Sequence, residues 1–172
     1  MKAHPSASPR RILFVCLGNI VRSPLAEGLF RHLAAERGVA DEYEVDSAGT
    51  SAWHIGEPPD PRMRKTAAKH GVHYSHVGRQ FRRDDFRKFD LILVMDHANY
   101  AALLALNPDP AEKAKIHYLR EFDPQGGPEA EVPDPYYGGM DGFERVYRIV
   151  ERSVRGLLDA LESGAFARQK PA

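Results

Sequence analysis

The chain has almost no cysteine. Cys16 is the only one in 172 residues. One thiol makes no internal disulfide and builds no cysteine-rich zinc site. Net charge is missing too, because 24 Lys and Arg balance 24 Asp and Glu. Bulk charge therefore points to neither nucleic acid nor a membrane surface as partner. No apolar run comes near the ~18–20 residues that span a bilayer. The opening MKAHPSASPRR lacks the apolar core of a secretory signal. The cytoplasm is the expected location. There is no internal repeat and no low-complexity block.

What is present is an ordinary globular composition, 42% apolar and 28% charged, at a length that suits one domain. Residues 1–10 and 164–172 read as flexible tails around a domain over residues 11–163. Short apolar runs at residues 12–15, 43–47, 91–95 and 116–119 predict four buried strands. Helical spacing predicts helices from Ser23-Pro24 to Gly38, from Asp60-Pro61 to about Gly71, over 97–106 and over 142–161. Ser23 and Asp60 read as N-caps, each followed by proline in the first turn. The run FRRDDFRK, residues 81–88, predicts a short basic helix with a solvated face. Strands that are apolar throughout and alternate with helices predict an α/β fold. It is a single three-layer domain, a four-stranded parallel sheet with helices on both faces. Sites in such sheets sit at the carboxyl ends of strands, and Cys16 lies just past the end of the first.

The stretch VCLGNIVRSP, residues 15–24, carries the chemistry. Cys-x5-Arg alone says little in an arginine-rich chain. The setting says more: a strand leads in, Gly18 and Asn19 permit a tight bend, and a helix leads out. Such a loop turns backbone N–H groups inward as an anion nest and aims the positive end of a helix dipole at the same spot. Arg22 adds a guanidinium that clamps two oxygens of a phosphate, which lysine cannot. The same field favours a thiolate at Cys16, and Ser23 is placed to donate to that sulfur. A thiolate beneath a bound phosphoryl group needs an acid on the far side to protonate the leaving oxygen. Asp134, in DPYYGG, is one candidate, though Asp-Pro and Gly-Gly are also ordinary turn chemistry. The residues alone leave both readings open. Trp53, Tyr136 and Tyr137 are likewise open between packing and a site wall. The histidines show no HExxH or other paired-ligand spacing.

VCLGNIVRSPLAEGLF resembles the signature of the low-molecular-weight protein tyrosine phosphatases. The segments DSAGTSAWHIGEPPDPR, HGVHYSHVGRQF, FDLILVMD and VPDPYYGGMDGFERVY resemble that family in the same order, so the likeness runs from about residue 11 to 161. It implies hydrolysis of aryl phosphate monoesters through a phosphocysteine. In that scheme Cys16 is the nucleophile, Arg22 the clamp and Asp134 the general acid. Leu17, Gly18, Asn19, Ile20, Val21, Arg22 and Ser23 form the phosphate-binding loop. Asn19, Ser23, Ser47 and His76 support that loop, and Trp53, Tyr136 and Tyr137 wall the slot. It implies no cofactor and no metal. The partners it implies are phosphotyrosine proteins or small aryl phosphates, with phosphate-like oxyanions as inhibitors and neither nucleic acid nor membrane. Related protein-arginine phosphatases carry Thr where Ile20 stands and lack the paired tyrosines, so this chain follows the tyrosine branch.

One departure is informative. Val21 occupies the place of a second cysteine in many family members, so no neighbouring thiol traps an oxidised Cys16. Arsenate reductases of this fold pass a disulfide between extra cysteines, which a single cysteine excludes. A non-catalytic phosphotyrosine-binding module would lack Cys16 or Asp134, and both are present. A dinucleotide site is disfavoured because no G-x-G-x-x-G follows the first strand.

Overall fold

The computed structural model describes residues 9–164 and 166. Four strands, β1 (Arg10–Cys16), β2 (Tyr43–Gly49), β3 (Leu91–Val94) and β4 (Ile116–Tyr118), form one sheet in the order β2-β1-β3-β4. Every pairing is parallel. The helices are α1 (Arg22–Glu36), α2 (Pro61–Lys69), α3 (Asp85–Lys88), α4 (His97–Leu104), α5 (Pro110–Lys113) and α6 (Met140–Glu162). This is the predicted single α/β domain, with a parallel sheet covered on both faces.

Period two along β1 explains the layers. Ile12, Phe14 and Cys16 point to one face and join the core built on Leu25, Leu29, Phe143, Val150 and Leu157 of α1 and α6. Leu13 and Val15 point to the other and pack with Phe81, Phe86, Ile92, Val94 and Leu103. All of β1 from Ile12 to Cys16 is thus buried on both sides, which is why it reads as a continuous apolar run. β1 lies between β2 and β3, so the chain leaves its carboxyl end to one side first and to the other later. A crevice opens at such a switch point. Cys16 ends β1, and Asp96 follows β3 by two residues.

Several boundaries differ from the sequence reading. Arg10, expected in the tail, is the first residue of β1 and pairs with Tyr43. Phe166, expected in the other tail, packs on Phe122 and His117. The rest of the expected tails, apart from Pro9 and Gly164, lies outside the described residues. The basic segment yields only α3, because Arg82 donates its backbone N–H to the buried Asp85 carboxylate instead of continuing a helix. Arg83, Arg87 and Lys88 pair with Glu112 and Asp84, and Arg11 reaches the Lys88 carbonyl. Lys88 therefore lies by the start of β1, at the opposite end of the sheet from Cys16, whereas the run begins at Phe81, whose N–H donates to the Gly49 carbonyl at the end of β2. The four-residue α5, closed by a capping box between Asp109 and Glu112, was not foreseen. Among the described residues no helix is long and apolar enough to cross a membrane.

Candidate active site

The loop from Cys16 to Arg22 is shaped by where its carbonyls go. The Cys16 carbonyl accepts from Thr50 N–H at 2.8 Å, that of Leu17 from Ser51 N–H at 3.0 Å, and that of Ile20 from Asp60 N–H at 2.8 Å. A trans peptide points its C=O and the following N–H in opposite directions. The N–H groups of Leu17, Gly18 and Val21 therefore face the other side, away from those partners. Those of Gly18, Ile20 and Val21 meet no acceptor among the described residues. This is an anion nest.

The bend itself falls on Asn19, at φ +56°, rather than on both Gly18 and Asn19. Gly18 is needed for a different reason, since a Cβ there would come within 3.0 Å of the His54 ring. Gly49, at the end of β2, lets the loop lie close by, as a Cβ there would meet the Leu17 carbonyl oxygen at 2.7 Å.

Ser23 is not the N-cap of α1. The cap is Val21, with no side-chain hydrogen bond at that helix end. Ser-Pro reads as a cap in sequence, yet a hydroxyl folded onto the first turn would occupy donors that a ligand needs. Instead Ser23 Oγ lies 3.0 Å from Cys16 Sγ, and the Asn19 N–H donates to the same sulfur at 3.3 Å. The Asn19 N–H and the Ser23 hydroxyl thus converge on the sulfur of a residue that is 2% exposed, with Ser23 Oγ also 3.4 Å from the Ala48 carbonyl. An amide and a hydroxyl so placed can both donate when the sulfur is the nucleophilic thiolate.

Behind the loop the expected supports come together. The Asn19 side-chain amide donates to Ser23 Oγ at 2.9 Å and Ser47 Oγ at 3.0 Å. Its Oδ1 accepts from Arg79 N–H at 2.9 Å and from His76 Nε2 at 2.7 Å. The backbone donor fixes which way this amide points. Ser47 in turn donates to Glu27 at 2.7 Å, and His76 Nδ1 faces Glu27 at 3.1 Å. Burial pushes the Glu27 carboxyl up, but hydrogen bonds from His76 and Ser47 outweigh it and hold the group below the usual carboxylate range. Glu27, Asp46 and His76 lie within metal-ligand distance of one another. The trio is tied into the loop's supports as a hydrogen-bonded brace: His76 Nε2 lies 2.7 Å from Asn19 Oδ1, its Nδ1 faces Glu27, and Arg79 donates to Asp46 at 3.0 Å.

Arg22 is 2% exposed. Its Nη1 donates to Asp96 at 2.7 Å and to the Val132 carbonyl at 3.0 Å, and its Nη2 faces Asp134 at 3.5 Å. Burial works against its charge, but Cys16, Asp96 and Asp134 raise its pKa above the ordinary arginine value, so it stays a cation. Asp134 is anchored on its loop by accepting the Tyr136 N–H at 3.0 Å.

A cavity of about 70 Å³ opens over the loop. Cys16, Arg22 and Asp134 line it together with Leu17, Gly18, Ile20 and Val21, while Trp53, Tyr136 and Tyr137 rise around it. Asn19 and Ser23 do not line it; they act from behind. The aromatic residues stand at different depths, for Trp53 is 72% and Tyr137 97% exposed. These two form a rim, whereas Tyr136 is partly buried and packs on the core. A larger cavity of about 370 Å³ near the start of β1, bordered by Ile12, Leu91 and Phe166, is lined by no cysteine, serine or threonine.

Two residues of this site escaped the sequence reading. Asp96 orients Arg22 while capping α4 through the Asn99 N–H. An acid just after the most apolar strand was its available signal. His54 also lines the cavity, held by Glu57 at 3.0 Å. Nothing in its local sequence marks it, because it arrives through the close packing of its turn on Gly18.

Comparison with known proteins agrees with this geometry. Residues 11–166 match the family model described as low molecular weight phosphotyrosine protein phosphatase. A low molecular weight protein-tyrosine-phosphatase of Streptomyces coelicolor is 45% identical over 88% of this chain and 93% of its own. The human low molecular weight phosphotyrosine protein phosphatase is 44% identical over 87% of this chain and 94% of its own. The crystal structure of a protein tyrosine phosphatase from Entamoeba histolytica superposes with a TM-score of 0.86 at 40% identity, covering 91% of this chain and 99% of that one. A nest over a buried thiol, an arginine held at its edge and an acid facing that arginine thus sit in a fold shared over nearly its whole length, and the chain belongs to the low-molecular-weight phosphotyrosine protein phosphatase family.

Proposed function

We propose that the chain hydrolyses the phosphate monoesters of phosphotyrosine proteins and small aryl phosphates, by a two-step transfer through Cys16. The observation that carries this reading is the convergence of Cys16, Arg22 and Asp134 on one small cavity above free backbone N–H groups. The Cys16 thiolate attacks phosphorus while the bond to the leaving oxygen breaks. Asp134 gives that oxygen its proton, so a phenol departs instead of a phenoxide. Water then attacks the phosphocysteine, Asp134 takes its proton, and inorganic phosphate leaves with the thiolate restored. Ser23, donating to the sulfur, makes it a better leaving group in that second step. The nest and Arg22 neutralise the equatorial oxygens throughout, so the chemistry asks for no metal. Phosphate-like oxyanions fill the same nest and compete with substrate.

Trp53, Tyr136 and Tyr137 suit a flat ring that reaches the floor of a narrow slot. A seryl phosphate is too short to bring its phosphorus to Cys16 and still meet the wall. Phosphate release from a phosphotyrosine peptide, a phosphoserine peptide and phosphoarginine, measured with EDTA present, tests this. The expected result is full activity in EDTA and a preference for phosphotyrosine of about a hundredfold. Loss of activity in EDTA, or equal rates on all three, overturns it.

A further inference from the structure

Arg62 lies outside the cavity, in the first turn of α2, yet it is the side chain on which the Tyr136 wall rests. Its guanidinium carbon is 5.3 Å from the centre of the Tyr136 ring and 4.6 Å from that of Phe143. A cation between two ring faces at these distances is attracted to both. Phe143 is fully buried in α6. The guanidinium is also fixed from its other edge. Nε and Nη2 donate to the two carboxylate oxygens of Asp60, at 3.2 and 2.9 Å. This fork holds one orientation, which a lysine would not.

Asp60 is itself only 7% exposed. Burial pushes its carboxyl up, and the hydrogen bonds from Arg62 bring it below the ordinary range. Its backbone N–H donates to the Ile20 carbonyl in the phosphate-binding loop at 2.8 Å. A continuous path of contacts thus runs from Ile20 through Asp60 and Arg62 to the Tyr136 ring. The Tyr136 N–H in turn holds Asp134.

We propose that Arg62 is a positioning residue for substrate: fixed to the phosphate-binding loop through Asp60, it sets the Tyr136 ring at the distance from Cys16 that an aryl phosphate spans. This rests on the reading of Tyr136 as the slot wall. The simpler alternative is that Arg62 only covers Phe143 and caps α2. That cap survives replacement of the side chain by Met or Lys, because Asp60 also accepts the backbone N–H of residue 62 at 2.8 Å.

The test uses Arg62→Met, Arg62→Lys, Tyr136→Ala and the double variant Arg62→Met/Tyr136→Ala. Each is assayed for kcat and KM on p-nitrophenyl phosphate and for the competitive Ki of inorganic phosphate, which has no ring to meet a wall. For Arg62→Met the expected result is an about three- to tenfold rise in KM, with kcat and the phosphate Ki each moving less than about twofold. Arg62→Lys, keeping the charge but not the fork, falls between. In the Tyr136→Ala background Arg62→Met adds nothing further. A parallel rise in the phosphate Ki, or full additivity with Tyr136→Ala, overturns the proposal and leaves Arg62 a packing residue. Failure of the wall reading shows elsewhere, as an unchanged KM in Tyr136→Ala alone.

Discussion

Replacing Cys16 with serine is expected to lower kcat on p-nitrophenyl phosphate by about 10⁵-fold or more, to the assay background. A neutral hydroxyl is a far weaker nucleophile than a thiolate. No base stands ready to activate it either: its neighbours Ser23 Oγ and the Asn19 N–H are placed to donate towards the floor of the nest. The nest itself should survive, because it is made by carbonyls bonded to Thr50, Ser51 and Asp60, not by the sulfur. Inorganic phosphate should therefore still bind Cys16→Ser within severalfold of its affinity for the parent enzyme. The chain has a single tryptophan, and Trp53 borders the cavity, so its fluorescence reports that binding directly. Turnover that persists in the variant would remove Cys16 from the chemistry. Lost phosphate binding would mean that the loop shape depends on the sulfur.

The second large effect is expected at Asp134. Asp134→Ala should lower kcat/KM by about 10² to 10⁴-fold, and the loss should depend on the leaving group. An acid matters most when the departing oxygen is basic. Phenyl phosphate should therefore suffer much more than p-nitrophenyl phosphate, whose phenolate leaves with little help. The Asp134 side chain is 41% exposed and its polar contacts are the Tyr136 N–H and Arg22, so the variant should fold with little loss of stability. A steady-state series of substituted phenyl phosphates gives the slope of log kcat/KM against leaving-group basicity. A steeper slope in Asp134→Ala is the expected outcome. Equal losses across the series would show that Asp134 positions substrate and transfers no proton.

The residues that were legible in sequence are those whose task is written in neighbouring positions. A β-forming run, a bend, and an arginine before a helix announce a phosphate loop because all its parts are contiguous. The apolar run of β1 announces a buried strand, but which of its residues share a face with Cys16 shows only in the packing of Ile12, Phe14 and Cys16 on α1 and α6. Ser23 was misread because capping is the commoner use of Ser-Pro, and the competing demand, a donor for the sulfur, depends on where Cys16 ends up in space. The same holds for Asp96 and Arg62. Asp96 comes to Arg22 only because β3 pairs beside β1, and Arg62 comes to Tyr136 only because α2 packs against α6. His54 is legible from neither composition nor spacing. Asp134 lies between, since its turn chemistry is plain and its partner Arg22 is 112 positions away. Tertiary pairing, not local propensity, selects these residues, and no local pattern carries that information.

The phosphocysteine is the centre of the mechanism and can be seen directly. Asp134→Ala slows hydrolysis of the intermediate, for want of a base, more than its formation from p-nitrophenyl phosphate. The intermediate should therefore accumulate in that variant during turnover. A rapid denaturing quench followed by mass spectrometry of the digested chain locates the phosphoryl group. One phosphoryl group on the peptide that contains Cys16, absent when Cys16→Ser is combined with Asp134→Ala, is the predicted result. A phosphoryl group on a histidine peptide, or release of phosphate with no adduct at any time point, would contradict it.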